Sequence, residues 1–323
     1  MDKKRVFLTR TLHDFALKEL KKKYRIEVHS GKIPIPRKKL ASKIKEVEGL
    51  ICFPYDVIDK ALIDKANNLK VISTYSVGFD HIDVEHAKTR KIRVGYTPEV
   101  LTDATADLAF SLMLDIMRRV SEGDRIIRNG DWRQIYGAYD YVGTDLQKKT
   151  LGIFGLGRIG TAIAKRAKAF DMKLIYHNRK PVSKSKEREL GIKFVSFNQL
   201  ISQSDVISIH VPHTKQTDLL FDKKVFSKMK KTSFLINTAR GKIVNEMDLV
   251  SALKKKEIAG AGLDVFASEP IGKRHPLTKI QNVTLGPHIG SSTMETRAKM
   301  AEITVNNLHL GIRGKKPKFS VGY

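Results

Sequence analysis

Gly155, Gly157 and Gly160 stand in the block Gly155-Leu156-Gly157-Arg158-Ile159-Gly160. Asn178-Arg179-Lys180 follows about twenty residues later, where a dinucleotide site keeps its ribose contact. A G-x-G-x-x-G spacing suits a pyrophosphate when it joins a strand to a helix. The first glycine makes the tight turn, the second lets the anion approach the backbone, and the third lets the helix pack close to the strand. N–H groups at the start of that helix, together with its dipole, favour the anion. An acid near the end of the second strand bonds bare ribose hydroxyls, whereas an Arg there accommodates a 2′-phosphate. This chain has no acid at that place and offers Arg179 and Lys180, with Lys184 and Lys186 beyond them. A planar guanidinium can grip phosphate oxygens in bidentate fashion. The two motifs predict NADP(H) ahead of NAD(H), and with it reductive chemistry. A glycine turn without a ligand carries the same letters, and a Lys-rich chain puts cations on many loops, so the surroundings decide.

Those surroundings are a strand and a helix. Thr150 to Phe154 reads as a short buried strand, and Thr161 to Phe170 keeps Ile163, Ala164, Ala167 and Phe170 at helical spacing. Lys173 to Tyr176 reads as the second strand. Segments 205–209, 233–236, 262–265 and 282–285 add further strands to one doubly wound sheet. The first hundred residues alternate in the same way. Strands are expected over 5–8, 25–28, 49–52, 69–73 and 92–94, with helical patterns such as 13–23 and 56–66 between them, which predicts a second parallel sheet covered on both faces. Thr97-Pro98 interrupts this alternation. A long helix is expected over 99–120, with a wide apolar stripe of Leu108, Ala109, Leu112, Met113, Ile116, Met117 and Val120 that needs burial, either at a subunit interface or within the chain. Ser292 to Leu310 reads as a last amphipathic helix able to pack back on the first domain.

At 323 residues, two domains are the expectation. The fold class expected is α/β with two doubly wound parallel-sheet domains: a discontinuous, flavodoxin-like substrate domain over 1–97 and 288–323, and a Rossmann cofactor domain over 98–287 that includes a dimerisation helix over 99–120. The net charge is +26, from 60 Lys and Arg against 34 Asp and Glu. The cations are spread along the whole chain without an arm or a basic run interleaved with aromatics. They read as a solvated surface that draws anionic substrate and cofactor, and no specific nucleic-acid partner is expected. No apolar run approaches the roughly 20 residues that span a membrane, no secretory signal precedes the first strand, and the single cysteine, Cys52, cannot form an internal disulfide. A cytoplasmic protein is the expectation.

Beyond the glycine loop, ordered motifs run the length of the chain: Tyr75-Ser76-Val77-Gly78-Phe79-Asp80-His81-Ile82-Asp83, Val94-Gly95-Tyr96-Thr97-Pro98, Leu101-Thr102-Asp103-Ala104-Thr105-Ala106-Asp107, Asn237-Thr238-Ala239-Arg240-Gly241, Gly262-Leu263-Asp264-Val265-Phe266, Glu269-Pro270 and Pro287-His288-Ile289-Gly290. With these the chain resembles the D-isomer-specific 2-hydroxyacid dehydrogenases, and within them the glyoxylate/hydroxypyruvate reductases. The resemblance implies a catalytic set of Arg240, Glu269 and His288. An Arg can bind a 2-oxo acid's carboxylate and polarise its ketone. A His can deliver the proton that the oxygen needs after hydride transfer, and a Glu on the other ring nitrogen fixes the tautomer and favours the imidazolium.

The resemblance further implies that Ser76, Val77 and Gly78, with Arg240, hold the substrate. It assigns the cofactor to Thr105, Gly155, Leu156, Gly157, Arg158, Ile159, Asn178, Arg179, Lys180, Val211, Pro212, Thr217, Thr238, Ala239, Arg240, Asp264 and His288. Asp264 reads either as a nicotinamide carboxamide contact or as a structural carboxylate. His210, His213 and His275 read as residues that line the cleft, and His81, His86 and His309 as structural. No His or Cys spacing matches a metal site, so no metal is expected. A homodimer acting on a small 2-oxo or 2-hydroxy acid is the expected assembly and substrate class. Other dehydrogenases of the family, of the phosphoglycerate or D-lactate type, and a dinucleotide-sensing corepressor-like protein are the competing readings.

Overall fold

The computed structural model describes residues 3–322, which form two compact units, each built on a parallel sheet. The first unit takes the chain to Leu101 and again from Ser292 onward. Its strands are β1 (Arg5–Leu8), β2 (Arg25–Val28), β3 (Gly49–Cys52), β4 (Val71–Thr74) and β5 (Arg93–Gly95), parallel in the order β5-β4-β3-β1-β2, with the short strand Ser320–Val321 antiparallel on β5. Helices α1 (Asp14–Lys23), α2 (Arg37–Lys43), α3 (Lys60–Ile63) and α4 (Val84–Thr89) connect them. β3 and β4 are buried along their whole length, as both-sided cover demands. The returning helix Met294–Ile312 packs on β3, β4, β5 and α1. Its buried Asn307 donates to the Tyr96 carbonyl at 3.0 Å, and its Thr304 carbonyl accepts from Ser73 Oγ at 2.9 Å.

The helix expected over 56–66 shrinks to the four residues of α3. Buried Asp56 accepts from Thr9 Oγ1 and from the Phe53 N–H, which holds a non-helical turn ahead of α3. Asp59 then caps the helix by accepting from the Leu62 N–H at 2.9 Å.

The second unit runs Thr102–Ser291. It opens with α5 (Thr102–Arg118) and α6 (Val120–Arg128). The chain then passes through β6 (Thr150–Phe154), α7 (Arg158–Ala169), β7 (Lys173–His177), α8 (Lys184–Leu190), β8 (Ile192–Phe194), α9 (Phe197–Gln203), β9 (Val206–Ile209), α10 (Lys223–Phe226), β10 (Phe234–Asn237), α11 (Glu246–Lys254), β11 (Gly260–Leu263) and β12 (Val283–Leu285). The parallel order is β8-β7-β6-β9-β10-β11-β12. The winding reverses between β6 and β9, and ligands of such sheets bind outside the carboxyl ends of the strands at that reversal.

Two sequence expectations change here. The long helix over 99–120 is two helices, broken at Arg119, whose φ is 58°. Arg119 pairs with Glu122 through both guanidinium Nε and Nη2 at 2.8 Å, and its carbonyl accepts from Tyr141 Oη, so local partners sustain the break. Of the expected stripe, Ala109, Leu112, Met113, Ile116 and Met117 are buried in α5, Leu108 is half-buried and Val120, which opens α6, is exposed; α5 lies against α7, β10, β11 and β12. Its burial is therefore within the chain. The second change concerns His288, expected in the returning segment but found in the second unit. Asp264, one residue past β11, accepts from the N–H groups of Ile289 and Gly290 at 2.8 Å each and ties that stretch to the sheet.

Candidate active site

At the β6–β9 reversal the chain builds a close turn. Gly155 has φ 104°, and a Cβ there would lie 2.7 Å from the carbonyl of His210 and from Val211 Cγ1. A Cβ on Gly160 would lie 2.2 Å from the Gly155 carbonyl oxygen, so helix and strand touch at that residue. Gly157, the N-cap of α7, is different: its Cβ would meet nothing within 4 Å, and no side chain caps the helix start. Two crowded glycines thus flank an open one at an uncapped helix N-terminus, which fits a pyrophosphate. A second observation agrees. The buried Thr238 hydroxyl, just past β10, has no protein partner.

The expected catalytic residues lie beyond the strand ends. Arg240 follows β10, and its turn is fixed by Asn237, whose Oδ1 accepts from the Ala239 N–H and whose Nδ2 donates to the Arg240 carbonyl, both at 3.0 Å. Arg240 Nη1 also donates to the Ala239 carbonyl at 2.7 Å. Glu269 and His288 meet: His288 Nδ1 donates to Glu269 Oε2 at 2.6 Å. The other oxygen, Oε1, accepts from the Phe266 N–H at 2.8 Å, so the carboxylate is held from both ends. His288 itself has φ 57°, a conformation uncommon outside glycine. The Asp264 bonds to the next two residues hold it there, and Thr105 Oγ1 adds a 3.1 Å bond to the Gly290 carbonyl. An imidazole oriented by a carboxylate through one nitrogen presents the other as a proton donor or acceptor.

Comparison with known proteins shows the family. A family model described as D-isomer specific 2-hydroxyacid dehydrogenase, NAD binding domain, matches residues 110–290. Glyoxylate reductases from Thermofilum pendens and Thermococcus litoralis are each 45% identical to the chain, over 98% of it and over 94% and 96% of their own lengths. The chain belongs to the D-isomer specific 2-hydroxyacid dehydrogenase family. Among solved structures, a Thermus thermophilus protein superposes with a TM-score of 0.91 at 43% identity, covering 98% of this chain and 99% of that one. An NADPH-dependent glyoxylate/hydroxypyruvate reductase from Sinorhizobium meliloti, in complex with NADP and malonate, gives 0.86 at 30% identity, covering 99% and 97%.

The dehydrogenase is thus an NAD(P)-dependent oxidoreductase, and its remaining expected site residues fall as follows. Leu156 is buried in the glycine turn, and Arg158 and Ile159 open α7. Asn178 Oδ1 accepts from the Leu156 N–H at 2.7 Å, so this residue braces the glycine turn while Arg179 and Lys180 stand exposed beside it. Thr217 Oγ1 donates to the Pro212 carbonyl at 2.8 Å and shapes the loop after Val211. Burial pushes the Asp264 carboxyl up, against the pull of the two N–H groups it accepts from. Ser76, in the first unit, turns its hydroxyl to the Gly78 carbonyl at 2.6 Å and braces the loop that carries Val77 and Gly78.

The other histidines separate from His288. His210 shares a 2.7 Å hydrogen bond with Ser208, and desolvation pushes its imidazole down to about 3, which keeps it neutral at working pH. His213 pairs with Asp218 at 2.7 Å, and His275, expected in the cleft, pairs with Glu246 at 3.2 Å. His81, His86 and His309 bond Thr74, Asp64 and Tyr24, as structural residues do. Among the described residues no group of three or more His, Cys, Asp or Glu could hold a metal ion, and no helix is long and apolar enough to cross a membrane. Sequence reasoning missed the roles of Asn237 and Glu246. For Asn237 a signal existed, since an Asn just past a strand readily bonds the backbone two residues on. Glu246 in a first helical turn reads only as a complement to the helix dipole.

Proposed function

We propose that the enzyme reduces glyoxylate and hydroxypyruvate to 2-hydroxy acids, with NADPH preferred over NADH. The observation that carries this is the 2.6 Å bond between Glu269 and His288 in a unit built on a dinucleotide-binding sheet. The reduced nicotinamide, when bound, supplies the hydride to the substrate's C2. Arg240 binds the substrate carboxylate and ketone oxygen and polarises the carbonyl. His288 gives its Nε2 proton to the oxygen that gains charge, and Glu269 stabilises the imidazolium beforehand. In oxidation the neutral imidazole takes the proton back. Arg158 and the N–H groups at the start of α7 would hold the pyrophosphate, Asp264 the carboxamide, and Arg179 and Lys180 a 2′-phosphate. The Sinorhizobium meliloti relative is itself described as NADPH-dependent.

The deciding measurement is kcat/KM across a series of 2-oxo acids with both cofactors. Glyoxylate and hydroxypyruvate should lead the series, and KM should be lower for NADPH than for NADH. Arg179→Ala should raise KM for NADPH about tenfold, ~1.4 kcal/mol of binding, and leave that for NADH in place. Equal constants for the two cofactors in the parent enzyme would remove the 2′-phosphate reading. Negligible turnover with every acid would point instead to a sensing protein.

We also propose that the working unit is a homodimer. The support lies in α6 and the segment after it, where Val120, Ile127, Trp132 and Val142 are exposed, Ile135 is 90% exposed and Tyr139 93%. Exposed large apolar side chains gathered in one stretch of chain suit an interaction surface. Sedimentation at micromolar concentration should show two copies per particle, and Ile135→Asp with Tyr139→Asp should give single chains of unchanged helix content. A parent enzyme that sediments as one chain would end this reading.

A further inference from the structure

Beneath the Glu269–His288 contact lies a second carboxylate–imidazole pair that the chemistry described so far does not use. Glu246 opens α11. Its Oε2 pairs with His275 Nε2 at 3.2 Å, and its Oε1 accepts from the Ala267 N–H at 2.7 Å. The acceptor for the preceding N–H, that of Phe266, is Glu269 Oε1 at 2.8 Å. Two consecutive amides are therefore taken by two different glutamates. The same stretch is pressed from the other side by Gly241, whose Cβ would lie 1.9 Å from the Phe266 carbonyl carbon and 2.4 Å from the Ala267 nitrogen. Gly241 follows Arg240 directly. The Phe266–Ala267 peptide is thus the common wall between the turn that carries Arg240 and the turn that carries Glu269.

A backbone stretch in that position must be pinned, because a shift of about 1 Å in a catalytic group can cost 10²-fold in rate. Gly241 sets how closely the wall can approach but makes no bond to pull it in. Glu246 makes that bond. His275 closes the brace: its ring packs edge-on against Phe266 at 6.2 Å, and its Nδ1 accepts from the Leu277 N–H at 3.4 Å, so the Glu246 carboxylate is aimed from the far end of the loop. The side chains of Glu246 and His275 are 15% and 22% exposed, enough shielding for the pair to hold its geometry.

We propose that Glu246 and His275 are positioning residues for the reaction, acting through the Phe266–Ala267 peptide to hold Glu269 against His288. The inference rests on the proton-transfer reading of Glu269 and His288 given above. Asp264, past the end of β11, interacts with both His288 and Glu269, and Arg240 stands at the turn packed on the same peptide. Lys273 and Arg274 adjoin His275 on its loop. No variant below removes these groups, and because Asp264 interacts with Glu269 the effect of Glu246→Ala is read within each Glu269 background.

The test compares Glu246→Ala, Glu246→Gln, Glu269→Gln and the Glu246→Ala/Glu269→Gln pair, with kcat for reduction measured across pH. Glu246→Ala should lower kcat about tenfold and move the reductive profile to lower pH, because a displaced Glu269 no longer supports the protonated imidazole. Glu246→Gln keeps an oxygen for the Ala267 N–H and should restore most of the rate and the profile. In the Glu269→Gln background Glu246→Ala should add no further shift. A lowered melting temperature with an unmoved profile, or a cost that simply multiplies with that of Glu269→Gln, would show Glu246 to be merely structural. Should Glu246→Ala not fold, His275→Ala leaves the Ala267 bond intact and must show the same shift at smaller amplitude. If Glu269→Gln alone leaves the profile in place, the proton-transfer reading fails; if Glu269→Gln moves it and Glu246→Ala does not, only the positioning role fails.

Discussion

Replacing His288 by Gln is expected to lower kcat for 2-oxo acid reduction about 10³-fold, roughly 4 kcal/mol at the transition state, with little change in KM for NADPH. Gln can keep a hydrogen bond to Glu269 but has no proton to give at neutral pH. No other imidazole of this unit is placed to substitute. His177 is bonded to the Val195 carbonyl, His210 is held neutral by desolvation, His213 is engaged by Asp218, and His275 by Glu246. Residual reduction above about a tenth of the parent rate would mean that a different group supplies the proton. Glu269→Gln makes the companion measurement. It preserves an oxygen near His288 Nδ1 and removes the charge, so the imidazolium loses its stabilising neighbour. Reduction needs the protonated ring, and a ring that gives up its proton more readily does so at lower pH. The reductive profile should therefore fall away at lower pH than in the parent, while oxidation, which needs the neutral ring, should reach its plateau earlier.

Much of this site was legible in the sequence because its residues sit at the ends of short buried strands, and short buried strands announce themselves. Strands β1, β2, β3 and β6 span the residues that alternation and apolar runs predict, and the glycine spacing reads correctly as a turn between β6 and α7. The family motifs add which strand ends carry Arg240, Glu269 and His288. What stayed hidden has a common cause: it depends on which backbone N–H a polar side chain reaches across the fold. Asn178 reads in the sequence only as a neighbour of two cations, and the bond its oxygen accepts from the Leu156 N–H is not visible there. Asp264 lies just past β11, not within a strand over 262–265, and its carboxylate accepts from the N–H groups of Ile289 and Gly290. Periodicity also cannot say what covers an apolar helix face. The α5 stripe looked available to a second subunit, and its own sheet covers it. The expected helix over 56–66 failed for the reverse reason, since one buried carboxylate, Asp56, outweighed a helical pattern.

Gly241→Ala should disable the enzyme while sparing the glycine turn that faces the cofactor's pyrophosphate. The added methyl would sit 1.9 Å from the Phe266 carbonyl carbon, 2.2 Å from its oxygen and 2.4 Å from the Ala267 nitrogen. Overpacking a core costs about 1–3 kcal/mol when side chains can turn aside. Here the obstacle is backbone, and none of the three contacting atoms can rotate away. The Arg240 turn and the Phe266–Ala267 peptide must separate, and because the Phe266 N–H holds Glu269, separation moves Arg240 and Glu269 relative to each other. A displacement near 1 Å predicts a loss of about 10²-fold in kcat/KM. A strain of about 1–3 kcal/mol predicts a fall in melting temperature of roughly 2–12 °C for a unit of this size. The glycine turn at Gly155–Gly160 is built from β6, α7 and the end of β9, so its pyrophosphate contacts should persist and the dissociation constant for NADPH should rise far less than kcat/KM falls. The combination is diagnostic: simple destabilisation would weaken cofactor binding and turnover together as temperature rises, whereas a displaced Arg240 fails in turnover with cofactor bound. An alanine variant with native kcat/KM would mean that the two turns are not fixed against each other through this peptide, and the account of Glu246 as their anchor would lose its mechanical basis as well.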